Sequence, residues 1–468
     1  MGGNRLLVVL ALSACAASHP AAPPPPPPDS TRVAAFLDTL QNRTFDFFWV
    51  LTPPANGLTP DRWPTPSFSS IAAVGFALTA YPIGVEHGWI TRAQAADRTL
   101  ATLQFFWTAP QDSAGPNTTG YRGFFYHFLD MSTGRRFQQV ELSTIDTSLL
   151  LAGILFAQSY YDHSDTTEQQ IRALADSIYF RVDWKWAEAR PPAVSMGWHP
   201  ENGFINADWI GYNEGMILNI LALASPTHPA DSAAWSKWVS GYQWGTYYGQ
   251  SFVQFAPLFG HEYSHVWIDF RNIKDAFMTG RGIDYFENSR RATLSQRTYA
   301  IANPGAWVGY NGNVWGLTAC DGPANKTLTI SGRSRQFHTY NARGAALGDE
   351  RDDGTLCPTA AGGAVPFAPE FTIPALLTMR TTYGNHLFST YGFLDAFNPT
   401  FTAAGQQEVG SVDPKLGWFD VDYLGIDQGP ILAMIENYRS DFVWRVMRGN
   451  AHIIRGLKRA GFTGGWLP

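Results

Sequence analysis

Stretches that are apolar on every side alternate along this chain with amphipathic ones, aromatic residues are abundant, and charges are few. These three observations predict an all-α fold, an (α/α)6 barrel or toroid in which a ring of buried helices sits inside a ring of half-exposed ones. Aromatic residues make up 14% of the chain and charged residues 15%, against roughly 25% charged in an average globular protein. The expected exception to the helical pattern is a small irregular or β insertion around residues 303–369, rich in Gly, Asn, Thr and Asp and without helical periodicity. Long segments of that kind inside a compact domain are often functional.

Taken in order, TRVAAFLDTLQNRTFDFFWV and RAQAADRTLATLQFFW carry apolar residues at helical spacing. Between them lies SFSSIAAVGFALTAYPIGVEHGW, apolar nearly all round and built from small residues. A helix that is apolar on all sides is buried, whereas an amphipathic one lies at a surface. The same alternation returns in STIDTSLLLAGILFAQSYY with DTTEQQIRALADSIYFRV, and in NEGMILNILALAS with DSAAWSKWVSGYQW. APEFTIPALLTMRTTYG and DQGPILAMIENYRSDFVWRVM continue it to the C-terminus. No strict repeat is present, so the toroid rests on pattern.

The N-terminus reads as a targeting signal. Arg5 precedes the apolar run Leu6 to Leu12, too short to span a bilayer, and Leu12-Ser13-Ala14-Cys15 resembles a lipobox whose cysteine is lipidated. An ordinary cleavage site is the alternative. Residues 1–15 are thus expected to be a lipoprotein-type signal peptide, 16–30 a Pro-rich linker and 31–468 one catalytic domain, in a monomer exported to the periplasm or cell surface and held to a membrane only by lipid. Cys320 and Cys357 remain in the mature part, and an exported protein would join them in a disulfide, with free buried thiols as the alternative. A net charge of −6 without a Lys/Arg cluster lacks the electrostatic footprint of nucleic-acid binding.

Candidate chemistry sits where loops enter buried helices. In VELSTIDTSLLLAG, Ser143 is a good N-cap and Asp146 stands three residues on, as in a capping box, while Glu141 lies in the preceding loop with no helical duty. In DWIGYNEGMILNILALAS, Asn213 can cap and Glu214 falls in the first turn, where the dipole alone would favour it. Trp209 and Tyr212 would partly desolvate Glu214, and desolvation raises a carboxyl pKa towards what a general acid needs. Two carboxyls entering one mouth from different helices are what glycosidic cleavage requires: one protonates the leaving oxygen, the other serves water or the anomeric carbon.

His261-Glu262-Tyr263-Ser264-His265 matches H-E-x-x-H, the helix pattern of zinc peptidases. Pro257 and Gly260 sit where such a helix would continue upstream, and a third ligand would have to come from Asp269 or Glu287. The preferred reading makes His261, Glu262, His265 and Asp269 the polar lining of a sugar cleft beside Tyr263 and Trp267, with no metal; a zinc metallopeptidase is the alternative. GDERDDGTLCPTA fails the EF-hand register, with Arg351 at the third position and Ala360 at the twelfth. G-x-S-x-G, Walker and Rossmann patterns are missing.

GFFYHFLD, ELSTIDTSLLLAG, YNEGM, FGHEYSHVWIDF, WGLTACDGP, DDGTLCPTAAGGAVPFAPE and LGIDQGP, in that order, resemble the bacterial glucoamylase-like family that includes the endo-β-1,2-glucanases of glycoside hydrolase family 144. The resemblance runs from about residue 35 to the end. It implies an (α/α)6 barrel, no cofactor or metal dependence, and hydrolysis of β-1,2-linked glucose chains, with inversion. It further implies Glu214 as general acid, and Glu141 or Asp146 as base or as the group ordering its water. Sugar contacts would come from Tyr126, His127, Trp209, Tyr212, His261, Glu262, His265, Trp267, Asp269, Trp315, Asp321 and Glu370. A glycan-binding surface lipoprotein without catalysis would share the same cleft.

Overall fold

The structure, a computed structural model, describes residues 30–115 and 117–468. The signal peptide, Cys15 and the linker up to residue 29 lie outside the described residues. Helices run in the order α1 Ser30–Leu51, α2 Ile71–Glu86, α3 Arg92–Thr108, α4 Thr144–Tyr160, α5 Thr166–Phe180, α6 Trp184–Ala187, α7 Met216–Ala224 and α8 Ala234–Val239. They continue with α9 Phe259–Trp267, α10 Ala276–Arg281, α11 Tyr285–Ala302, α12 Pro358–Gly362, α13 Pro369–Tyr383, α14 Gly425–Ser440, α15 Phe442–Met447 and α16 Ala451–Arg459.

Two kinds of helix separate by burial. In α2, α4, α7 and α12, and nearly throughout α9 and α14, every side of the helix is covered by protein; α1, α3, α5, α11 and α13 bury one stripe. The buried set packs in chain order, α2 between α14 and α4, α4 against α7, and α12 against α14. The half-exposed set covers it, α5 on α4, α11 on α9, α13 on α12 and α1 on both α2 and α14.

Small residues explain the closest of these contacts. A Cβ on Gly75 of α2 would stand 2.3 Å from the Leu149 carbonyl oxygen, and one on Gly153 of α4 would stand 2.1 Å from that of Gly75. Only hydrogen at those positions lets the two backbones meet. Around this crossing Val74, Leu78, Leu150 and Ile154 lose all solvent contact, each gaining about 1.5–3 kcal/mol from burial. Ser70 and Ser143 cap α2 and α4, as Thr91 and Asp165 cap α3 and α5.

Two helical expectations are shortened. The C-terminal stretch breaks at Asp441, whose left-handed φ of 61° ends α14 before α15 begins. After α8 the chain turns into a hairpin, Trp244–Tyr247 with Gln250–Val253, so Trp244 is not helical. Between residues 303 and 369 the expected irregular segment is found, carrying short antiparallel pairs such as Lys326–Ile330 with Arg333–Phe337. Cys320 and Cys357 are joined, with Cα atoms 6.3 Å apart, which fixes this segment to the start of α12. A five-stranded antiparallel sheet, in the order Gly120–Tyr121, Phe124–Tyr126, Leu142–Ser143, Gly197–His199 and Gly203–Phe204, feeds the chain into α4.

Candidate active site

Acidic side chains from the N-terminal ends of the buried helices gather in a closed circuit. Asp146 stands in the first turn of α4, Glu262 in that of α9 and Asp427 in that of α14. Glu214 lies in the turn just ahead of α7, whose N-cap is Gly215. The positive ends of these helix dipoles therefore face the same acids, which favours negative charge there.

His127 is the first link. Its Nδ1 is 2.8 Å from Oε1 of Glu141 and its Nε2 3.4 Å from Oδ2 of Asp146. Burial would hold the imidazole neutral, but the carboxylates of Asp146, Glu141 and Asp61 outweigh it and push it up to about 9. The Glu141 carboxyl, in turn, is held below its ordinary value: the His127 hydrogen bond and charge overcome burial. Asp146 accepts from Ser143 Oγ at 2.5 Å. Burial, reinforced by the Asp146 charge, pushes the Glu214 carboxyl up to about 7.

From Glu214 the circuit passes Tyr263, whose phenol lies in the field of Asp427, Glu262 and Glu214. Burial, then the charges of Asp427 and Asp321, hold the Asp395 carboxyl well above its usual range, and burial pushes Asp427 up to about 8, against the lowering effect of Asp395 beside it. Oδ1 of Asp395 and both oxygens of Asp427 have no hydrogen-bond partner. Oδ2 of Asp395 accepts from the Asp321 backbone N–H at 2.7 Å, and Asp321 Oδ2 accepts from Arg62 Nη1 at 2.6 Å. Arg62 also pairs with Asp61 at 3.3 Å, and Asp61 returns to the field of His127.

Of the residues expected from sequence, Glu141, Asp146, Glu214, His127, Glu262 and Asp321 meet in this circuit. Trp209 and Tyr212 support it from behind. The Trp209 indole N–H donates to Thr144 Oγ1 at 2.9 Å and its ring packs against Gly215, while Tyr212 lies 4.8 Å from the His261 ring. Asn213 does not cap α7; its Oδ1 accepts from the Gly215 N–H at 2.9 Å and so shapes the turn that carries Glu214.

Others fall elsewhere. Tyr126 ends the strand before the bend at His127 and is buried in the core, where Arg136 lies 4.7 Å from its ring centroid. Trp267 ends α9 and Asp269 follows it. Trp267 stacks on Phe76 at 5.0 Å, fully buried, and Asp269 is locked between Arg271 at 2.7 Å and Arg448 at 2.5 Å. Trp315 has no exposed surface. Glu370 lies on the outer helix α13, paired with Arg290 at 2.5 Å.

His261 and His265 are also core residues, without exposure. Nε2 of His261 contacts the Phe255 carbonyl at 3.2 Å and Nε2 of His265 the Ser289 hydroxyl at 3.1 Å. Burial pushes the His261 imidazole down to about 4 and that of His265 well below its usual value. Both third-ligand candidates are committed to arginines, Asp269 as above and Glu287 to Arg291 at 2.7 Å. The donor set does not assemble a zinc site. The helix serves the acids instead: Ser264 Oγ donates to the Glu214 carbonyl at 3.1 Å and accepts from the Ile217 N–H at 3.0 Å, which pins the Glu214 turn.

Sequence reasoning missed Asp61, Arg62, Asp395 and Asp427. Asp427 carries the same signal as Asp146, an acid in the first turn of a buried helix, and LGIDQGP displays it. Chemically, the circuit offers a carboxyl kept protonated to near neutral pH beside carboxylates kept charged by a cation, the separation that acid–base catalysis needs.

Residues 206–451 match the family described as "Putative glucoamylase" (Glycoamylase). The chain is 27% identical over 457 residues to an exo β-1,2-glucooligosaccharide sophorohydrolase (non-reducing end) of Parabacteroides distasonis, a match covering 90% of this chain and 57% of that protein. It thus spans little more than half the length of that curated relative. Among solved structures, an endo-β-1,2-glucanase from Chitinophaga pinensis, in complex with sophorotriose and glucose, is 27% identical with a TM-score of 0.79, covering 93% of this chain and 99% of that one. A β-1,2-glucanase from Parabacteroides distasonis is 27% identical with a TM-score of 0.77, covering 92% of this chain and 60% of that one.

Proposed function

The chain belongs to this glucoamylase-like family, and on that premise we propose that it is a glycoside hydrolase cleaving β-1,2-linked glucan. The fold that carries the reaction is an (α/α)6 toroid, with the N-terminal ends of its inner helices at the substrate mouth. The observation that supports this reading best is the Glu214 carboxyl, pushed up to about 7 beside Asp146. In its neutral form Glu214 donates its proton to the glycosidic oxygen as the bond from that oxygen to the anomeric carbon breaks. Asp146, oriented by Ser143 and His127, accepts the proton of the water whose oxygen joins the anomeric carbon. Glu141 keeps His127 charged and in place. The same family resemblance implies inversion.

A second assignment of the base has its own support. Asp427 has two unpartnered oxygens, but its carboxyl, pushed up to about 8 by burial, becomes a base only in alkaline solution, whereas Asp146 is held by Ser143 and His127. Internal cleavage is proposed over release from the chain end, because the similarity spans 99% of the endo-acting Chitinophaga pinensis chain and only 57% of the exo-acting relative. Location completes the proposal: export by the Leu6–Leu12 run and lipid attachment at Cys15, checked by fatty-acid labelling that Cys15→Ser should abolish.

The test is release of reducing ends from a panel of glucans. Purified protein should act on β-1,2-glucan in preference to β-1,3-, β-1,4- and α-1,4-glucans, and Glu214→Gln should lose on the order of 10²–10⁴-fold in rate. Absence of product from β-1,2-glucan removes the substrate assignment, and an unchanged rate in the variant removes Glu214 from the reaction.

A further inference from the structure

At the edge of the circuit, on the side of the Arg62–Trp63 strand, Asp321 converges with two further carboxyls that have no role in the hydrolysis proposed above. Asp321, Asp420 and Asp422 each offer an oxygen, and these oxygens all lie within 4.8 Å of one another. The three residues are only 6%, 2% and 4% exposed. Asp420 Oδ1 accepts from the Val421 N–H at 2.7 Å, but Oδ2 has no partner at all. Asp422 Oδ1 accepts from the Thr65 N–H at 2.8 Å. Arg62 reaches Asp321 at 2.6 Å and Asp422 at 3.7 Å, yet it also answers Asp61, and Asp395 adds a further carboxyl behind Asp321. Arg62 thus pairs with Asp61, Asp321 and Asp422, while no ion pair to Asp420 is found among the described residues, and a buried charge of that kind is costly unless it is neutralised.

We propose that Asp321, Asp420 and Asp422 bind a hard divalent cation of the Ca²⁺ class, in a structural role separate from the hydrolysis proposed above. The donors are all carboxylate oxygens, which hard cations prefer, and there is no nitrogen or sulfur to select zinc or copper. Ligands on a Ca²⁺ ion sit at about 2.3–2.6 Å, so no two of them stand more than about 4.6–5.2 Å apart, a limit that the three oxygens respect. Water would supply the remaining positions. Asp420 also forms part of the wall of a cavity of about 470 Å³ lined by Trp63, His386, Tyr391 and Tyr423, which gives a hydrated ion its way in.

Such an ion would tie three separate parts of the mouth together. Asp321 follows Cys320 of the disulfide, Asp420 and Asp422 lead into α14, and Arg62 begins the strand paired with Tyr423–Leu424. The experiment uses the full chain stripped with EGTA, with calorimetry and thermal denaturation as readouts and no turnover required. Wild type should bind one Ca²⁺ and melt higher in its presence, Mg²⁺ should act more weakly, and Asp420→Asn should weaken Ca²⁺ binding at least tenfold. With the repulsion gone, Asp420→Asn without Ca²⁺ should melt no lower than stripped wild type. Absence of stoichiometric binding to wild type at millimolar Ca²⁺ overturns the proposal, as does unchanged affinity in Asp420→Asn, or in Asp422→Asn if the first variant does not fold. So does protection by a β-1,2-glucooligosaccharide without protection by Ca²⁺, since the carboxyls would then serve sugar hydroxyls.

Discussion

Glu214→Gln removes a carboxyl that the fold would rather keep neutral, so the variant should lose turnover and gain stability together. The displacement from 4.5 to about 7 is worth about 3 kcal/mol at about 1.36 kcal/mol per pH unit. Glu214 retains some exposure, and screening by solvent brings the expected value to about 2 kcal/mol. Because the folded-state pKa is raised, the native state holds its proton more tightly than the unfolded chain. That advantage is complete below about pH 4.5 and is lost as pH rises through about 7. Glutamine never ionises, so wild type and variant should melt alike near pH 4.5 and diverge above pH 7, the variant higher by a few degrees for a chain of this size. The assay is paired thermal denaturation across pH 4.5–8.5, with glucan hydrolysis measured on the same samples. A variant equally stable at pH 8.5 would refute the buried, destabilised carboxyl; a more stable variant with full activity would refute its catalytic use.

His127, pushed up to about 9, contributes stability that is fully present below about pH 6.5 and lost as pH rises through about 9. His127→Gln should therefore be destabilised most at the acidic end of that window and should lose at least tenfold in hydrolysis rate, measured by matched melting curves and initial rates. Gly153→Ala would set a methyl group 2.1 Å from the Gly75 carbonyl oxygen, and overpacking of that kind should cost about 1–3 kcal/mol in a denaturant titration. The Cys320–Cys357 bridge closes a separation of 37 residues, so Cys320→Ser with Cys357→Ser should cost about 4 kcal/mol on the chain-entropy account. The same double variant should raise KM more than it lowers stability-corrected kcat, because it frees Asp321.

The parts of the fold legible in the sequence are those whose composition is extreme. Ile71–Glu86 and Thr144–Tyr160 announce burial because Ala, Gly and Leu occupy all their faces, and Gly75 and Gly153 then show why small residues were needed. α9 and α12 were hidden by their brevity: nine and five residues hold too few periods for a pattern. Asp146 and Glu214 could be brought together on paper because both precede or begin a buried helix. Asp427 obeys the same rule and was available to it. Asp61, Arg62 and Asp395 were not, since two sit in loops and Arg62 in a two-residue strand, and their convergence depends on the packing of helices far apart in the chain. Trp267 and Asp269 show the opposite error: nearness in sequence to Glu262 puts Trp267 at the other end of the same helix, in the core, and Asp269 just past it, in an arginine clamp.

The central claim is that Glu214 stands over the bond to be broken. A crystal structure of Glu214→Gln soaked with a β-1,2-glucooligosaccharide tests it most directly. The account predicts a glycosidic oxygen within about 3 Å of the amide that replaces the Glu214 carboxyl, with the neighbouring anomeric carbon open on its other face towards Asp146 or Asp427. An oligosaccharide held away from that side chain, or density confined to the outer helices, would contradict it.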